Sequence, residues 1–110
     1  MDLTSMNCIP CEGGIEPFDQ KLIGIYLKEL GNDWLLIENR KIAKDFQFRK
    51  YAQTIEFVNK VAELAELENH HPVMHVYYGK VTIELWTHAI NGLSDNDFIM
   101  AAKIDKLIIE

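Results

Sequence analysis

Hydrophobic residues along the chain fall into patches whose period alternates between helix and strand. Leu22, Ile25, Tyr26 and Leu30 recur at helical spacing behind Pro17-Phe18-Asp19, and Gly31 stands where a C-terminal cap is expected. Asp33-Trp34-Leu35-Leu36-Ile37-Glu38 reads as a strand. Asn39-Arg40 reads as a turn, after which Ile42, Phe46 and Phe48 alternate with Ala43, Asp45 and Gln47 in a second strand of the same hairpin. The longest periodic segment runs from Tyr51 to Glu68. Tyr51, Ile55, Val58, Ala62 and Ala65 form one apolar line, and Phe57, Val61 and Leu64 widen it. A stripe that broad predicts packing against more than one neighbour. Pro72 cannot continue this helix and pushes His71 toward an extended conformation, so the helix ends near Asn69 or His70. Two strand-like runs follow, Val73 to Tyr78 and Val81 to Trp86. Ser94 with Asp97 then makes a capping-box pattern ahead of a last helix carrying Phe98, Ala101, Ile104 and Ile108.

The order α-β-β-α-β-β-α predicts an α+β fold, a four-stranded antiparallel sheet with helices on one face. Ile83 and Leu85 would face the helices, and Thr82, Glu84, Trp86 and His88 the other side. Residues 1–16 hold Pro10 and Gly13-Gly14 with little periodicity, and read as an extended N-terminal arm of a single domain spanning 1–110. A four-stranded sheet leaves edges to be managed, and the wide helical stripe leaves apolar surface over. Both predict self-association.

Composition narrows the function by exclusion. Hydrophobic residues make up 48% and charged residues 25% of the 110, the make-up of a globular domain rather than a disordered one. A net charge of −6 disfavours nucleic acid, whose phosphate backbone calls for clustered Lys and Arg. No apolar run approaches the ~18 residues of a membrane span, and no secretory signal is visible, so a cytoplasmic protein is expected. Cys8 and Cys11 supply only two of the four ligands of a structural zinc. They lack the βαβ context of a redox motif and are expected to be reduced thiols in a loop.

The candidate chemistry sits between Glu66 and Asp97, where three of the 4 histidines fall at the two ends of one predicted hairpin. Gly79-Lys80 suits a two-residue type II′ turn, with Gly at the first central position. That turn pairs Tyr78 with Val81, and counting back sets His71 across from His88. Directly opposed residues have Cα atoms roughly 4.5–5.5 Å apart, so the hairpin would bring His70 and His71 beside His88. Histidine, with an unperturbed pKa near ~6.5, suits proton transfer near neutral pH.

Glu66, His70-His71-Pro72, Tyr78, His88 and Asp97 stand at the spacing of the pterin-4a-carbinolamine dehydratase signature. Thr87-His88 followed by Gly92-Leu93-Ser94 resembles another of that family's segments. The stretch from Cys8 to Pro17 is similar to the N-terminus of its bacterial members. The resemblance implies a 4a-hydroxytetrahydrobiopterin dehydratase that releases water from a pterin carbinolamine and takes part in tetrahydrobiopterin recycling beside an aromatic amino acid hydroxylase. It implies His70, His71 and His88 as the catalytic set, with His70 and His88 the acid/base pair, His71 the residue that holds the pterin and steers which hydroxyl leaves, and His88 also in contact with the substrate. Pro72 and Thr87 would line the site, and Glu66 and Asp97 would orient an imidazole or contact the pterin. It implies no metal and no cofactor, and a homodimer or a homotetramer built from dimers. Met74 departs from the family, many of whose members carry Trp there. Trp86 is expected on the same face as His88, where it could replace that lost surface.

Other readings stand beside these. Asp97 is also a cap partner for Ser94, Glu66 a solvated carboxylate, and each histidine alone a surface residue. His75 is expected on the strand surface. A metal site is disfavoured because adjacent histidines in an extended chain point to opposite faces. Some members of the family resemble dimerisation cofactors for a transcription factor, which makes a non-enzymatic, coactivator-like binding module the alternative function.

Overall fold

In the computed structural model, which describes residues 1–10, 13–31 and 33–110, the elements follow the expected order. They are α1 (Gln20–Leu30), β1 (Leu35–Ile37), β2 (Lys41–Gln47), α2 (Tyr51–Glu68), β3 (Val73–Val76), β4 (Lys80–Leu85) and α3 (Asp95–Asp105), with short 3-10 turns at Leu3–Ser5 and His88–Ile90. The four strands pair antiparallel in the order β1-β2-β4-β3.

Strict alternation makes β4 the centre of this sheet. Val81, Ile83 and Leu85 are fully buried against the helices, as is Ile42 opposite Leu85 on β2. Burying an aliphatic side chain of that size stabilises the fold by ~1.5–3 kcal/mol. The intervening residues form a polar open face. There Thr82 Oγ1 donates to Asp45 at 2.6 Å, and Glu84 sits between Lys41 (3.2 Å) and the exposed His75 (3.3 Å).

Two helices are rotated from the faces their patterns predict. Asp19 caps α1 by accepting from the Leu22 N–H at 2.9 Å, and Gly31 ends it with φ +59°. Ile23 and Leu30 are its buried residues, while Ile25 is 46% exposed. Phe18, Tyr26 and Phe98 form a ring cluster with centroids 4.8 to 6.0 Å apart. Docking Tyr26 there turns Ile23 inward and Ile25 out. In α2 the buried residues are Thr54, Phe57, Val61 and Ala65, whereas Tyr51 and Ala62 are exposed. Phe57 wedges against Phe46 (4.7 Å) and Phe48 (5.2 Å), and the Thr54 hydroxyl donates to the Tyr78 carbonyl at 2.8 Å. The apolar stripe was broad enough for either rotation; the aromatic wedge and the buried hydroxyl select one. In α3, Phe98, Ala101 and Ile104 are buried, but Ile108 lies beyond the helix and is exposed.

The β3–β4 hairpin is offset by two residues from the expected register. Val76 pairs with Val81 and Val73 with Glu84, and the Tyr77 N–H donates to the Lys80 carbonyl at 2.8 Å, which leaves Tyr78-Gly79 as the two-residue loop. Gly79 does not have the positive φ of a type II′ turn. It is required for close approach instead: a Cβ there would lie 2.8 Å from the Phe48 carbonyl oxygen, and the Phe48 N–H donates to the Gly79 carbonyl at 2.9 Å. The side-chain period is two, so this offset keeps the paired residues of the two strands on their expected faces, while Trp86 lies just past β4 and His88 on the 3-10 turn that follows rather than on the sheet. Among the described residues, no helix is long and apolar enough to cross a membrane.

The observed rotation of α1 has a direct check. Ile23→Ala should lower the unfolding free energy by ~2–5 kcal/mol, the range for a fully buried aliphatic. Ile25→Ala should cost less than half as much in the same urea titration.

Candidate active site

Three chain segments converge on one cavity because each is stopped at a defined point. Asn69 takes a left-handed conformation (φ +53°) at the end of α2, and the His70 N–H closes the last turn on the Ala65 carbonyl at 3.2 Å. Pro72 then sends the chain into β3. After β4, Thr87 and Gly92 bridge each other through paired backbone hydrogen bonds of 2.8 and 3.4 Å. The loop between them carries His88 on its 3-10 turn. Gly92 packs against Pro17 so closely that an added Cβ would lie 2.6 Å from the proline Cβ. The Thr-His-x-x-x-Gly spacing is therefore the length of a closed loop that presents His88.

Asp97 joins these segments. Its side chain has no exposed surface. One oxygen lies 2.6 Å from His70 Nε2. The other accepts from the Thr87 hydroxyl (2.8 Å) and from the Ser94 N–H (3.0 Å). The Ser94 and Thr87 hydroxyls are themselves 2.7 Å apart. The cap role and the imidazole-orienting position weighed for Asp97 thus coexist in one carboxylate. It sits in the first turn of α3, where the helix dipole favours negative charge. A carboxylate is an acceptor only, so the proton in this bond sits on His70 Nε2, and in the neutral ring that leaves the lone pair on Nδ1.

His71 and Glu66 form a second pair, His71 Nε2 to Glu66 Oε2, at 2.5 Å. Both side chains are more than half exposed, where such a pair contributes ~0–1 kcal/mol. The exposed ring of His88 stacks on Trp86, with centroids 4.3 Å apart and planes 25° apart. Lys41 Nζ lies 5.3 Å from the Trp86 centroid. Trp86 is on the face expected, but it supports His88 rather than lining the cavity.

The cavity, about 480 Å³, is lined by His70, His71, His88 and Thr87 together with Ile9, Pro10 and Asn96 among others, within the ~300–1,000 Å³ usual for small-molecule sites. Glu66, Pro72 and Asp97 are not in the lining; Asp97 bears on it through His70 and Thr87, and Glu66 through His71. Met74 pairs with Ile83 and packs on the core, away from the cavity. Among the described residues, no three His, Cys, Asp or Glu side chains converge closely enough to hold a metal ion.

Ile9, Pro10 and Asn96 escaped sequence reasoning. They meet only because the arm docks across the start of α3. The Ile9 N–H donates to Asn96 Oδ1 (2.9 Å), and Asn96 Nδ2 donates to the Ile9 carbonyl (2.6 Å). The Cys8 N–H donates to Glu68 Oε1 at 2.8 Å, and Lys103 Nζ donates to Glu68 Oε2 at 2.7 Å. Burial works to raise the Glu68 carboxyl, but the Lys103 ammonium and the Cys8 N–H outweigh it and hold Glu68 below its ordinary value. Burial, with the Glu68 charge beside it, pushes the Cys8 thiol up to about 12. Cys11 lies outside the described residues.

A model of the family described as pterin 4 alpha carbinolamine dehydratase matches residues 16–107. The chain is 48% identical over 105 residues to an inferred pterin-4-alpha-carbinolamine dehydratase of Rickettsia bellii, covering 96% of this chain and 93% of that one. It is 48% identical over 108 residues to one of Nitrosomonas eutropha, covering 98% and 95%. Among solved structures, a transcriptional coactivator/pterin dehydratase from Brucella melitensis superposes with TM-score 0.76 at 27% identity, over 82% of this chain and 96% of that one. A pterin dehydratase-like protein identified as a RuBisCO assembly factor in the alpha-carboxysome gives 0.59 at 26%, over 69% and 89%.

Asp97→Ala strips partners from buried groups on three segments and should lower the unfolding free energy by ~3–5 kcal/mol, the cost of breaking a buried pair, against ~1 kcal/mol for an ordinary cap loss; denaturant titration reads both. In a Cys11→Ser variant, the remaining Cys8 thiol is protonated at neutral pH and should react with iodoacetamide far more slowly in the native protein than in urea. The grip of Glu68 on the arm should weaken in acid, read as a fall in the unfolding free energy. The depressed Glu68 carboxylate contributes fully above its unfolded value, and the contribution is lost as pH falls through the lower folded one.

Proposed function

We propose that this chain, which belongs to the pterin 4 alpha carbinolamine dehydratase family, is a 4a-hydroxytetrahydrobiopterin dehydratase acting by histidine general acid/base catalysis over one catalytic unit. In the reaction the bond between the 4a carbon and its hydroxyl breaks. An acid protonates the departing hydroxyl, which leaves as water. The electron pair of the adjacent ring nitrogen closes a carbon–nitrogen double bond, and a base takes that nitrogen's proton. The product is quinonoid dihydropterin.

The observation that carries this reading is the convergence of His70, His71 and His88 on one cavity of ligand size. His70 and His88 serve as the acid/base pair. Asp97 fixes the tautomer and ring of His70, the usual way a carboxylate prepares an imidazole for proton transfer. The indole of Trp86 fixes the plane of His88. His71, steadied by Glu66, holds the pterin, with Thr87 beside it and Pro72 setting the direction of the backbone. Recycling of tetrahydrobiopterin beside an aromatic amino acid hydroxylase, in the cytoplasm, is the setting this assigns. A homodimer or homotetramer completes it. β1 and β3 are the sheet's edges, and Leu35, Val76 and Tyr77 on or next to them are exposed.

A second reading, a non-enzymatic binding module, draws on one observation: the structurally similar carboxysome protein is named as an assembly factor. A pure adaptor has no use for a histidine held by a buried carboxylate, which favours the enzyme.

Supplying the carbinolamine and following quinonoid dihydropterin formation separates the two. The wild type should outpace the uncatalysed reaction with a chelator present, and His70→Ala and His88→Ala should each lose ~10²–10⁴-fold in kcat. His71→Ala should act mainly on KM. Wild-type turnover no faster than the uncatalysed rate contradicts the enzyme and favours the module.

A further inference from the structure

The matched family segment begins at residue 16, yet part of the cavity wall comes from residues ahead of it. Ile9 and Pro10 line the space that His70, His71 and His88 enclose. They are held there by more hydrogen bonds than a surface arm needs. Asn96, only 4% exposed, takes both backbone groups of Ile9 in the way a neighbouring strand would. The adjacent Cys8 N–H is bound by the largely buried Glu68, itself paired with Lys103. Upstream, Leu3 is buried in the core. The segment is thus pinned on both sides of Met6, but the Ile9 side chain is 70% exposed.

A clamped backbone carrying a free aliphatic side chain fits a surface that waits for a ligand. The histidine side of the cavity is polar, whereas a flat heteroaromatic ring needs apolar cover on its faces. Met74 offers none, since it is half-buried against the core and outside the cavity lining. Pro10 adds a rigid apolar ring with φ fixed.

We propose that the N-terminal arm is a wall of the pterin site, in which Ile9 and Pro10 cover the bound ring and set its affinity while Asn96 positions them. This rests on the reading of the cavity as a pterin site. The arm takes no part in proton transfer, so its contribution falls on binding and leaves the chemical step alone.

The test uses the full chain and an unreactive probe, 7,8-dihydrobiopterin, by titration calorimetry, alongside kcat and KM for the carbinolamine. Ile9→Gly and Pro10→Gly should weaken probe binding and raise KM by about tenfold, equivalent to ~1.4 kcal/mol, with kcat within about twofold and an unchanged melting temperature. Asn96→Ala should weaken binding similarly. Combined with Ile9→Gly it should add little, because the two act through one contact. Wild-type binding that Ile9→Gly and Pro10→Gly leave unaltered overturns the wall alone. So does a fall in kcat without loss of affinity, or a double variant whose effects add in full. A wild type that neither binds the probe nor turns over the carbinolamine overturns the wall and the pterin reading together.

Discussion

A single buried carboxylate ties together the segments that carry the candidate site. Asp97 is sealed from solvent and bonded to His70 from the end of α2, to Thr87 from the end of β4, and to the first turn of its own helix. Three elements far apart in sequence are tied at one point. Leaving any of its partners unmade strands a buried polar group, at ~1–3 kcal/mol apiece. The junction therefore closes as a unit. The same bond that stabilises it fixes the ring of His70 and which nitrogen faces Asp97, so the fold's internal constraint is also what prepares the candidate chemistry.

Much of the architecture was legible because local rules and tertiary packing agree. Strict alternation in β4 marks a strand with one buried face, and it is the buried centre of the sheet. Ser94 and Asp97 read as a capping box and form one. Pro72 reads as a helix stop, and α2 ends at Glu68. What failed were choices that neighbours make. The stripe on α2 allowed two rotations, and the contact of Phe57 with Phe46 and Phe48 picked the one a pattern passes over, because Thr54 is polar. Gly79 looked like a turn glycine by identity. Its cause is the Phe48 backbone beside it, which no local rule contains.

The geometry of the candidate site was legible in part, for the same reason. Placing His70 and His71 near His88 needed only that a hairpin return on itself, and a register offset of two residues left the faces intact. The supports were hidden. By its position Trp86 looks like a surface for the ligand, but its ring backs His88. Ile9 and Asn96 lie at opposite ends of the chain and meet through a side-chain imitation of strand pairing. Neither carries a spacing that announces it.

The proposed chemistry depends on His70 being held by Asp97 through Nε2, with Nδ1 left to exchange a proton with a ligand in the cavity. Nitrogen-15 NMR of the histidine rings reads this directly, at about pH 8, where an unperturbed imidazole is neutral. The expected result is the Nε2–H tautomer for His70, with its Nδ1 resonance shifting when 7,8-dihydrobiopterin is added. A proton on Nδ1, or a His70 resonance that the pterin leaves unmoved, would contradict it.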